Sequence, residues 1–354
     1  MRMMYAALYI SLLGITDVGD EQQSRYRPDV VICDQVSACI PFLKLNRMFP
    51  LKYLPFDIAN TMLPYAPKRI VFYCHFPDQL LTRRENILKR LYRLPIDKLE
   101  EKTTGLADEI LVNSRFTAGI FHDTFRSLNN VPDVLYPSLN TKPFDENIQE
   151  HHSLSFAKAK NTFTLLSINR YERKKNLLLA LRTLAQLRKK GISHARLLMV
   201  GGHDPLCVEN VEHLQELQQL AQELNLSTEG NNPDVTFETN VTTQQKVQYL
   251  RYCDVLLYTP SGEHFGIVPI EAMYVGTPVI AVNDGAGPTE TVVNEETGFL
   301  CPANDHLAFA NAAAILANDK SRQKRMGDAG RERVQSRFSF DSFADQLDTV
   351  VNKE

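Results

Sequence analysis

The chain has 354 residues, of which 44% are hydrophobic and 9% aromatic, so it can form two hydrophobic cores and is not of disordered composition. Its formal net charge of -3 excludes a surface that coats nucleic acid, because that function needs a broad basic field. The six cysteines are scattered, without a C-x-x-C pair or a Cys/His cluster at metal-ligand spacing, which favours buried thiols in a reducing cytosolic setting.

The first feature along the chain is an apolar run at residues 3–13. It is too short to cross a bilayer, since a transmembrane helix needs about 20 residues. We predict a helix packed on its own domain, and an interfacial helix is the alternative.

Short β-branched or aliphatic runs recur along the chain and alternate with helical patterns. They lie at residues 30–33, 70–74, 110–112, 163–168, 196–200, 255–258 and 279–282. This alternation predicts parallel β/α units with helices on both faces of a sheet. A helix is expected at residues 176–191, where leucines form a wide apolar face and Gly191 can end it.

Two segments of the first part of the chain are candidates for contact with a membrane surface. Residues 83–94 combine basic residues with an apolar stripe, and residues 48–67 form an apolar, Pro-rich loop. Basic residues beside an apolar stripe suit a membrane interface. The alternative is an ordinary amphipathic surface helix with a solvated basic face.

A polar stretch at residues 143–160 marks a domain boundary, since a new strand follows it. We assign residues 1–150 to a first domain and residues 151–354 to a second. The pair His151 and His152 is interpreted as part of a solvated linker rather than a metal site. About four strand candidates precede the boundary and about six follow it, so the first domain looks short for a doubly wound sheet.

Arg170 and Lys175 lie just beyond the strand predicted at residues 163–168. Open α/β sheets bind ligands at the carboxyl ends of their strands, so these two cations are candidates to hold a diphosphate. The equally weighted alternative is a solvated basic patch shared with Arg173 and Lys174.

The loop after the strand at residues 255–258 contains a second set of candidates. Gly266 lets the backbone approach a ligand closely, and the N–H groups of residues 266–268 at a helix start make a seat for a pyrophosphate. Glu263 and Glu271 lie on either side of this seat, and a carboxylate can bind two adjacent sugar hydroxyls. For Glu271 the alternative is an acid that only stabilises a helix N-terminus. The predicted donor-binding residues of the loop are Phe265, Gly266, Ile267, Val268 and Glu271.

These motifs resemble those of a known family. Arg-x4-Lys at Arg170 and Lys175, followed by Glu-x7-Glu at Glu263 and Glu271, is similar to the pattern of retaining glycosyltransferases of the glycogen-synthase-like and mannosyltransferase group. Three further stretches look like the members that add mannose to lipid-linked oligosaccharides. They are Tyr-Cys-His-Phe-Pro-Asp at residues 73–78, Ser-Ile-Asn-Arg-Tyr-Glu-Arg-Lys-Lys-Asn-Leu at residues 167–177 and Tyr-Thr-Pro at residues 258–260.

The resemblance implies a GT-B fold of two facing Rossmann-like domains, with a terminal helix that crosses back to the first. It implies GDP-mannose as the donor, a dolichol-diphosphate-linked oligosaccharide as the acceptor, and a place on the cytosolic face of the endoplasmic reticulum membrane, beside other early N-glycan mannosyltransferases. It assigns Arg170 and Lys175 to the diphosphate, Glu271 to the ribose and Glu263 to the transferred sugar. His75, which follows the strand at residues 70–74, becomes an active-site residue with Glu263; the alternative is a histidine that merely ends a strand. The chain contains no Asp-x-Asp motif, so we expect no metal and no other cofactor.

The chain departs from the family at its start. The first domain of such enzymes opens with a strand, a Gly-rich turn and a helix, and no such unit precedes the strand at residues 30–33. We therefore expect an incomplete N-terminal domain. Three alternatives stay open: a glycosyltransferase of the same fold with another sugar nucleotide and a soluble acceptor, a shortened chain that binds nucleotide without turnover, and a nucleotide-sugar epimerase.

Overall fold

The computed structural model of the chain describes residues 28–44, 67–82, 86–129, 131–146, 162–230 and 232–353. The predictions for residues 3–13, for residues 48–66 and for the histidine pair at 151–152 lie outside these ranges. The chain divides into two compact units. The first comprises Met1–Tyr136 and Ala344–Glu354, and the second comprises Pro137–Phe343.

The described part of the first unit contains a parallel sheet of four strands in the order β1-β2-β3-β4. The strands are β1 (Val30–Asp34), β2 (Arg69–Cys74), β3 (Glu109–Val112) and β4 (Asp133–Val134). The helices are a 3-10 helix (Ser37–Cys39), α1 (Ile40–Leu43), α2 (Asp78–Leu81), α3 (Ile87–Thr104) and α4 (Arg115–Thr124). Apolar side chains of β2 and β3 pack against Phe121 and Phe125, which gives this unit its own core.

The second unit contains a parallel sheet of six strands in the order β10-β9-β8-β5-β6-β7. The strands are β5 (Phe163–Ile168), β6 (Ala195–Gly201), β7 (Val235–Thr239), β8 (Val255–Tyr258), β9 (Val279–Asn283) and β10 (Gly298–Pro302). The helices are α5 (Lys142–Asp145), a 3-10 helix (Arg173–Lys175), α6 (Leu178–Lys189), α7 (Val208–Glu223), α8 (Thr243–Tyr252), α9 (Ile267–Tyr274), α10 (Pro288–Thr291), α11 (His306–Asn318) and α12 (Lys320–Arg337).

The terminal helix α13 (Phe340–Val351) begins in the second unit, and its residues from Ala344 onward belong to the first. Within the first unit, Nη1 of Arg69 donates a hydrogen bond to the Val350 carbonyl at 2.8 Å. The end of the chain is thereby fastened to the start of β2.

The strand order of the second unit reverses between β5 and β8. These two strands pair in parallel through Leu165 with Val255 and Leu166 with Leu256. Strands β6 and β7, which follow β5 in the sequence, lie on one side of this pair. Strands β9 and β10, which follow β8, lie on the other side. In an open α/β sheet such a reversal opens a crevice at the carboxyl ends of the two strands, because the loops that follow them diverge.

The predicted α/β architecture is confirmed, because each predicted strand lies on a strand of one of the two parallel sheets. The structure adds β4, β7 and β10. The predicted helix at residues 176–191 is shorter than expected. Asn176 adopts a left-handed conformation with φ 50°, so α6 begins only at Leu178, and Gly191 with φ 92° lies beyond its end.

Within the described ranges, no helix combines the length and apolar character that crossing a bilayer requires. The same ranges contain no group of three or more His, Cys, Asp or Glu side chains placed to hold a metal ion.

Helix α12 approaches the turn that ends α9 so closely that it leaves no room for a side chain. A Cβ atom added at Gly327 would lie 2.0 Å from the carbonyl oxygen of Gly276. Gly276 itself has φ 84°, which only glycine adopts without strain. This contact of two glycines sets where α9 can lie, and α9 begins at the predicted pyrophosphate seat.

We predict that Gly327→Ala lowers the free energy of unfolding by about 1–3 kcal/mol, because the new methyl group forces the two backbones apart. Gly119→Ala is the matched control. Gly119 lies within α4 and has open space around its Cβ position among the described residues, so alanine there should raise stability by about 0.5–1 kcal/mol. Urea unfolding of both variants measures the difference, and equal midpoints would contradict the packing described.

Candidate functional site

A cavity of about 630 Å³ lies at the carboxyl ends of β5 and β8, within the second unit. Its volume is in the range of pockets that bind small molecules and cofactors. Residues from four strand ends, from α8 and from the start of α9 line it. They are Ile168, Asn169, Arg170, Lys175, Val200, Gly201, Gly202, Asn240, Val241, Lys246, Tyr258, Glu263, Gly266, Ile267 and Val268. The structure thus brings Arg170, Lys175, Glu263 and the predicted backbone seat to one cavity.

The loop that carries Arg170 and Lys175 is anchored to the core by a buried tyrosine. Tyr171 is 1% exposed, and its hydroxyl donates to the carbonyl of Met199 at 3.1 Å or of Glu238 at 3.0 Å. The Tyr171 carbonyl in turn accepts from Nδ2 of Asn210 at 3.1 Å. With the tyrosine ring in the core, its neighbour Arg170 is directed to the cavity, where its side chain is 63% exposed and pairs with Glu172 at 2.8 Å.

The four basic residues of this loop are not equivalent. Nη2 of Arg173 lies 2.9 Å from Glu212 and 2.6 Å from Glu216, both on α7. The Arg173 guanidinium holds the pKa of Glu216 below its usual value. Arg173 therefore fastens the loop to α7 on the side away from the cavity, whereas Arg170 and Lys175 line the cavity itself.

Lys175 forms an ion pair with Glu263, the only partner of opposite charge that the described residues provide for it. Both are largely withdrawn from solvent, with side chains 13% and 25% exposed. The Tyr258 hydroxyl donates to the other Glu263 oxygen at 3.3 Å, and Thr259 Oγ1 donates to the Lys175 carbonyl at 2.8 Å. Burial raises the pKa of Tyr258 well above its usual value, so this hydroxyl remains a donor.

The backbone seat begins at Gly266, which has φ 83° and caps α9. Gly266, Ile267 and Val268 line the cavity, so the first N–H groups of α9, which have no partner within the helix, lie at its wall. The predicted ligand contact of Phe265 differs from these. Its side chain is 6% exposed and packs edge-on against Phe338, so it supports the loop from the core and does not line the cavity.

A neighbouring loop buttresses the seat. Asp284 accepts a hydrogen bond from the Gly262 amide at 2.7 Å, and the Gly287 amide donates to the Glu263 carbonyl at 2.7 Å. A Cβ at Gly287 would lie 2.4 Å from the backbone of Phe265. Position 287 therefore has to be glycine for the Glu263 loop to keep this conformation.

Glu271, like Phe265, is not among the residues that line the cavity; it is 7% exposed on α9. Its Oε1 atom accepts from Nζ of Lys246 at 2.6 Å, and Lys246 lines the cavity. Its Oε2 atom is buried without a hydrogen-bond partner among the described residues. Burial raises the pKa of Glu271, although Lys246 opposes the shift. A buried carboxylate oxygen without a donor is costly, which makes it a candidate to receive a ligand hydroxyl.

His75 belongs to the first unit, at the carboxyl end of β2. Its Nε2 atom lies 2.8 Å from Oδ1 of Asp34, and its ring meets that of Tyr73 edge-on at 4.8 Å. Its backbone is held on both sides, since the amide donates to Gln35 at 3.0 Å and the carbonyl accepts from Asn113 at 3.0 Å. The ring is therefore fixed but remains half exposed.

The loop after His75 is tied to α3 by a carboxylate that the sequence did not single out. Glu100 accepts from the amide of Asp78 at 2.7 Å and from that of Gln79 at 3.0 Å. The sequence did not single out Lys246 either, although it binds Glu271 and lines the cavity. Each shares its helix with at least one other charged residue, and no local pattern distinguishes it.

The chain is similar to known proteins along most of its length. The family model described as glycosyl transferases group 1 matches residues 149–333. The chain is 48% identical to the alpha-1,3/1,6-mannosyltransferase of Homo sapiens, over 99% of this chain and 77% of that protein. It is 36% identical to the alpha-1,3/1,6-mannosyltransferase of Saccharomyces cerevisiae, over 92% of this chain and 66% of that protein.

Solved structures are similar at lower identity. Sucrose-phosphate synthase from Thermosynechococcus elongatus matches with a TM-score of 0.67 and 23% identity, over 92% of this chain and 73% of that one. The Anabaena protein HepE, solved with UDP, matches with a TM-score of 0.68 and 16% identity, over 92% of this chain and 79% of that one. With the two parallel sheets, these likenesses confirm the predicted GT-B fold class.

A pH prediction follows from Glu100. Burial raises the pKa of this carboxyl from its usual 4.5 to about 7, so the folded chain holds the proton more tightly than the unfolded chain does. The resulting stabilisation is complete below pH 4.5 and is lost as the pH rises to about 7. Glu100→Gln cannot ionise, and we expect its melting temperature to fall less over this interval than that of the parent.

The matched control is Glu332→Gln, at an exposed position on α12. Its melting temperature should follow the parent at every pH. Identical pH profiles for Glu100→Gln and the parent would show that Glu100 does not titrate in this interval.

Proposed function

The chain belongs to the alpha-1,3/1,6-mannosyltransferase family of glycosyltransferases, and on this basis we propose that it transfers mannose from GDP-mannose, with retention, to a dolichol-diphosphate-linked Man1GlcNAc2 core. The first transfer makes the α1,3 linkage and the second the α1,6 linkage, in N-glycan precursor assembly. The observation that carries the proposal is the meeting of Lys175, Glu263 and the start of α9 in one cavity at the strand-order reversal.

The donor diphosphate is assigned to the cationic side of this cavity. Lys175 and Arg170 follow β5, and the residues that begin α9 line the same cavity. A diphosphate there gains charge-assisted hydrogen bonds from all three sources. Because Lys175 is 13% exposed, its charge is poorly screened by water and stabilises a departing diphosphate strongly.

The pairing of Lys175 with Glu263 gives both residues a role on donor binding. The phosphates compete for the ammonium group, and Glu263 is then free to accept hydrogen bonds from the transferred sugar. Tyr258 keeps Glu263 oriented through its hydroxyl. The ion pair thus holds both side chains in position while no donor is bound.

The ribose is assigned to Glu271. Its Oε2 atom is the buried acceptor that no described residue satisfies, and its Oε1 atom is already occupied by Lys246. A ribose hydroxyl is a donor of suitable strength for that oxygen. Lys246 acts here as a positioning residue, because its hydrogen bond to Oε1 holds the Glu271 side chain in one rotamer.

His75 is proposed as the active-site residue that the first unit contributes. Its contact with Asp34 and its fixed backbone leave one orientation of the ring. The acceptor makes the cytosolic face of the endoplasmic reticulum membrane the proposed place of action, with other early N-glycan mannosyltransferases as proposed partners.

Extension of a synthetic lipid-linked Man1GlcNAc2 by radiolabelled GDP-mannose tests the function. We expect longer lipid products with the parent chain. Lys175→Ala and Glu263→Ala should each lower kcat/KM by about 100-fold or more, because each removes charge stabilisation in a water-poor site. The experiment separates this function from the competing glycosyltransferase that uses another sugar nucleotide, which would leave the lipid unextended.

Lys324→Ala and Asp328→Ala are the matched controls. They break an exposed ion pair on α12, 2.8 Å long, and should leave activity and melting temperature unchanged. GDP binding by calorimetry without any lipid extension would favour the nucleotide-binding but inactive alternative.

Turnover in excess EDTA tests the proposed independence of metal ions. The chain lacks an Asp-x-Asp motif, and Arg170, Lys175 and the α9 backbone supply the positive charge that a metal would otherwise bring to the diphosphate. We expect the same rate with and without EDTA. Loss of activity that Mg²⁺ or Mn²⁺ restores would refute this proposal.

A further inference from the structure

The first turns of α3 expose apolar side chains in a way that a helix of a packed domain does not. Ile87 is 74% exposed, Leu88 78%, Leu91 60% and Tyr92 68%. An amphipathic surface helix normally buries such residues against its own domain. Within the described part of the chain, these side chains have little protein against them.

The other end of the same helix is packed. Thr103 and Thr104 are 3% and 0% exposed, and Asp97 is 8% exposed. Pro95 lies between the two parts, and Asn86 caps the exposed part by accepting from the Lys89 amide at 2.9 Å. The exposed turns are therefore a capped helix that projects from a fixed base.

Neighbouring side chains extend the exposed apolar surface. Leu94 is 50% exposed, and on α2 Leu80 and Leu81 are 48% and 56% exposed. The start of α2 is held to α3 by Glu100, which accepts from the amides of Asp78 and Gln79, so the two helices keep a fixed relation. We name the set the apolar ridge; it consists of Leu80, Leu81, Ile87, Leu88, Leu91, Tyr92 and Leu94.

The charged residues of the exposed turns of α3 are basic, and the one acidic residue of α2 is Asp78. Lys89 and Arg90 are exposed among its residues, and Lys98 is exposed further along α3. Arg93 is turned to Asp97 at 3.2 Å, and no acidic residue occurs between positions 86 and 96. Apolar side chains, cations and a tyrosine together match an anionic lipid surface, whereas lysine is disfavoured in protein interfaces.

We propose that the apolar ridge inserts into the headgroup region of an anionic bilayer and holds the first unit at the surface that contains the lipid-linked acceptor. The choice of acceptor rests on the proposed function. The docking itself rests on exposure and charge, and it applies to any anionic vesicle. Lys89 and Arg90 then face the lipid phosphates while Leu88, Leu91 and Tyr92 lie among the upper acyl carbons.

Flotation of the full chain on vesicles tests the docking. The probe is phosphatidylcholine with phosphatidylserine, compared with phosphatidylcholine alone. The parent should float with the anionic vesicles. The triple variant Leu88→Ser, Leu91→Ser, Tyr92→Ser should bind at least about tenfold less, because it removes the inserted apolar surface and leaves every charge in place.

The matched control replaces the same number of exposed apolar residues elsewhere. Val131, Leu206 and Val208 are 81%, 90% and 69% exposed, and their serine variant should float like the parent. The double variant Lys89→Glu, Arg90→Glu should bind less to the vesicles that contain phosphatidylserine. Its binding to vesicles of phosphatidylcholine alone should not change. Equal flotation of the apolar-ridge triple variant and the parent would overturn the proposal, as would a parent that does not float. A change of oligomeric state without loss of flotation would assign the ridge to a protein partner instead, which also overturns it.

A second readout separates this inference from the proposed function. On a water-soluble acceptor with a short lipid, the apolar-ridge triple variant should transfer mannose as fast as the parent, because the cavity in the second unit is unchanged. On the vesicle-embedded acceptor it should be slower by at least about tenfold. If neither chain transfers mannose to the soluble acceptor but only the parent floats, the proposed function fails and the docking stands.

Discussion

The parallel pairing of β5 with β8 is the constraint on which the second unit depends. About 90 residues separate the two strands, and a buried aspartate joins their starts. Asp254 accepts a hydrogen bond from the Thr164 amide at 2.7 Å, while its own amide donates to the Thr164 carbonyl at 2.9 Å. Lys320 of α12 neutralises it at 2.9 Å. The register set at this end decides which residues emerge together at the other.

At the carboxyl end, that register places Lys175 against Glu263. Neither charge would be stable alone at its level of exposure, because a largely buried ion without a partner loses much of its hydration. The pair therefore supports the fold and the chemistry together. The supports around it are equally non-local: Arg173 is anchored to α7, Tyr171 to β6 and β7, and the Glu263 loop to Gly287.

In the first unit, β2 and α3 connect regions with different proposed roles. His75 follows β2, and its backbone is fixed by Gln35 and Asn113. The packed end of α3 contains Glu100, which accepts a hydrogen bond from the amide of Asp78 at the start of α2. The other end of α3 lies outside the core. One helix thus links the position of the His75 loop to the exposed apolar ridge, so the proposed membrane contact and the proposed active-site loop share one support.

The sequence by itself determined the features that are written in neighbouring residues. The buried strands, the glycine turn at Gly266, the helix after β5 and the two motifs around Lys175 and Glu263 all depend on local periodicity and backbone conformation, which a short stretch of chain encodes. Only the tertiary structure decided the strand order, the pairing of Arg173 with carboxylates of α7 and the burial of Phe265 in the core. It also supplied Lys246 as the partner of Glu271 and Glu100 as the tie behind His75. These depend on contacts between residues far apart in the chain, and a single charged or aromatic side chain carries no sign of its distant partner.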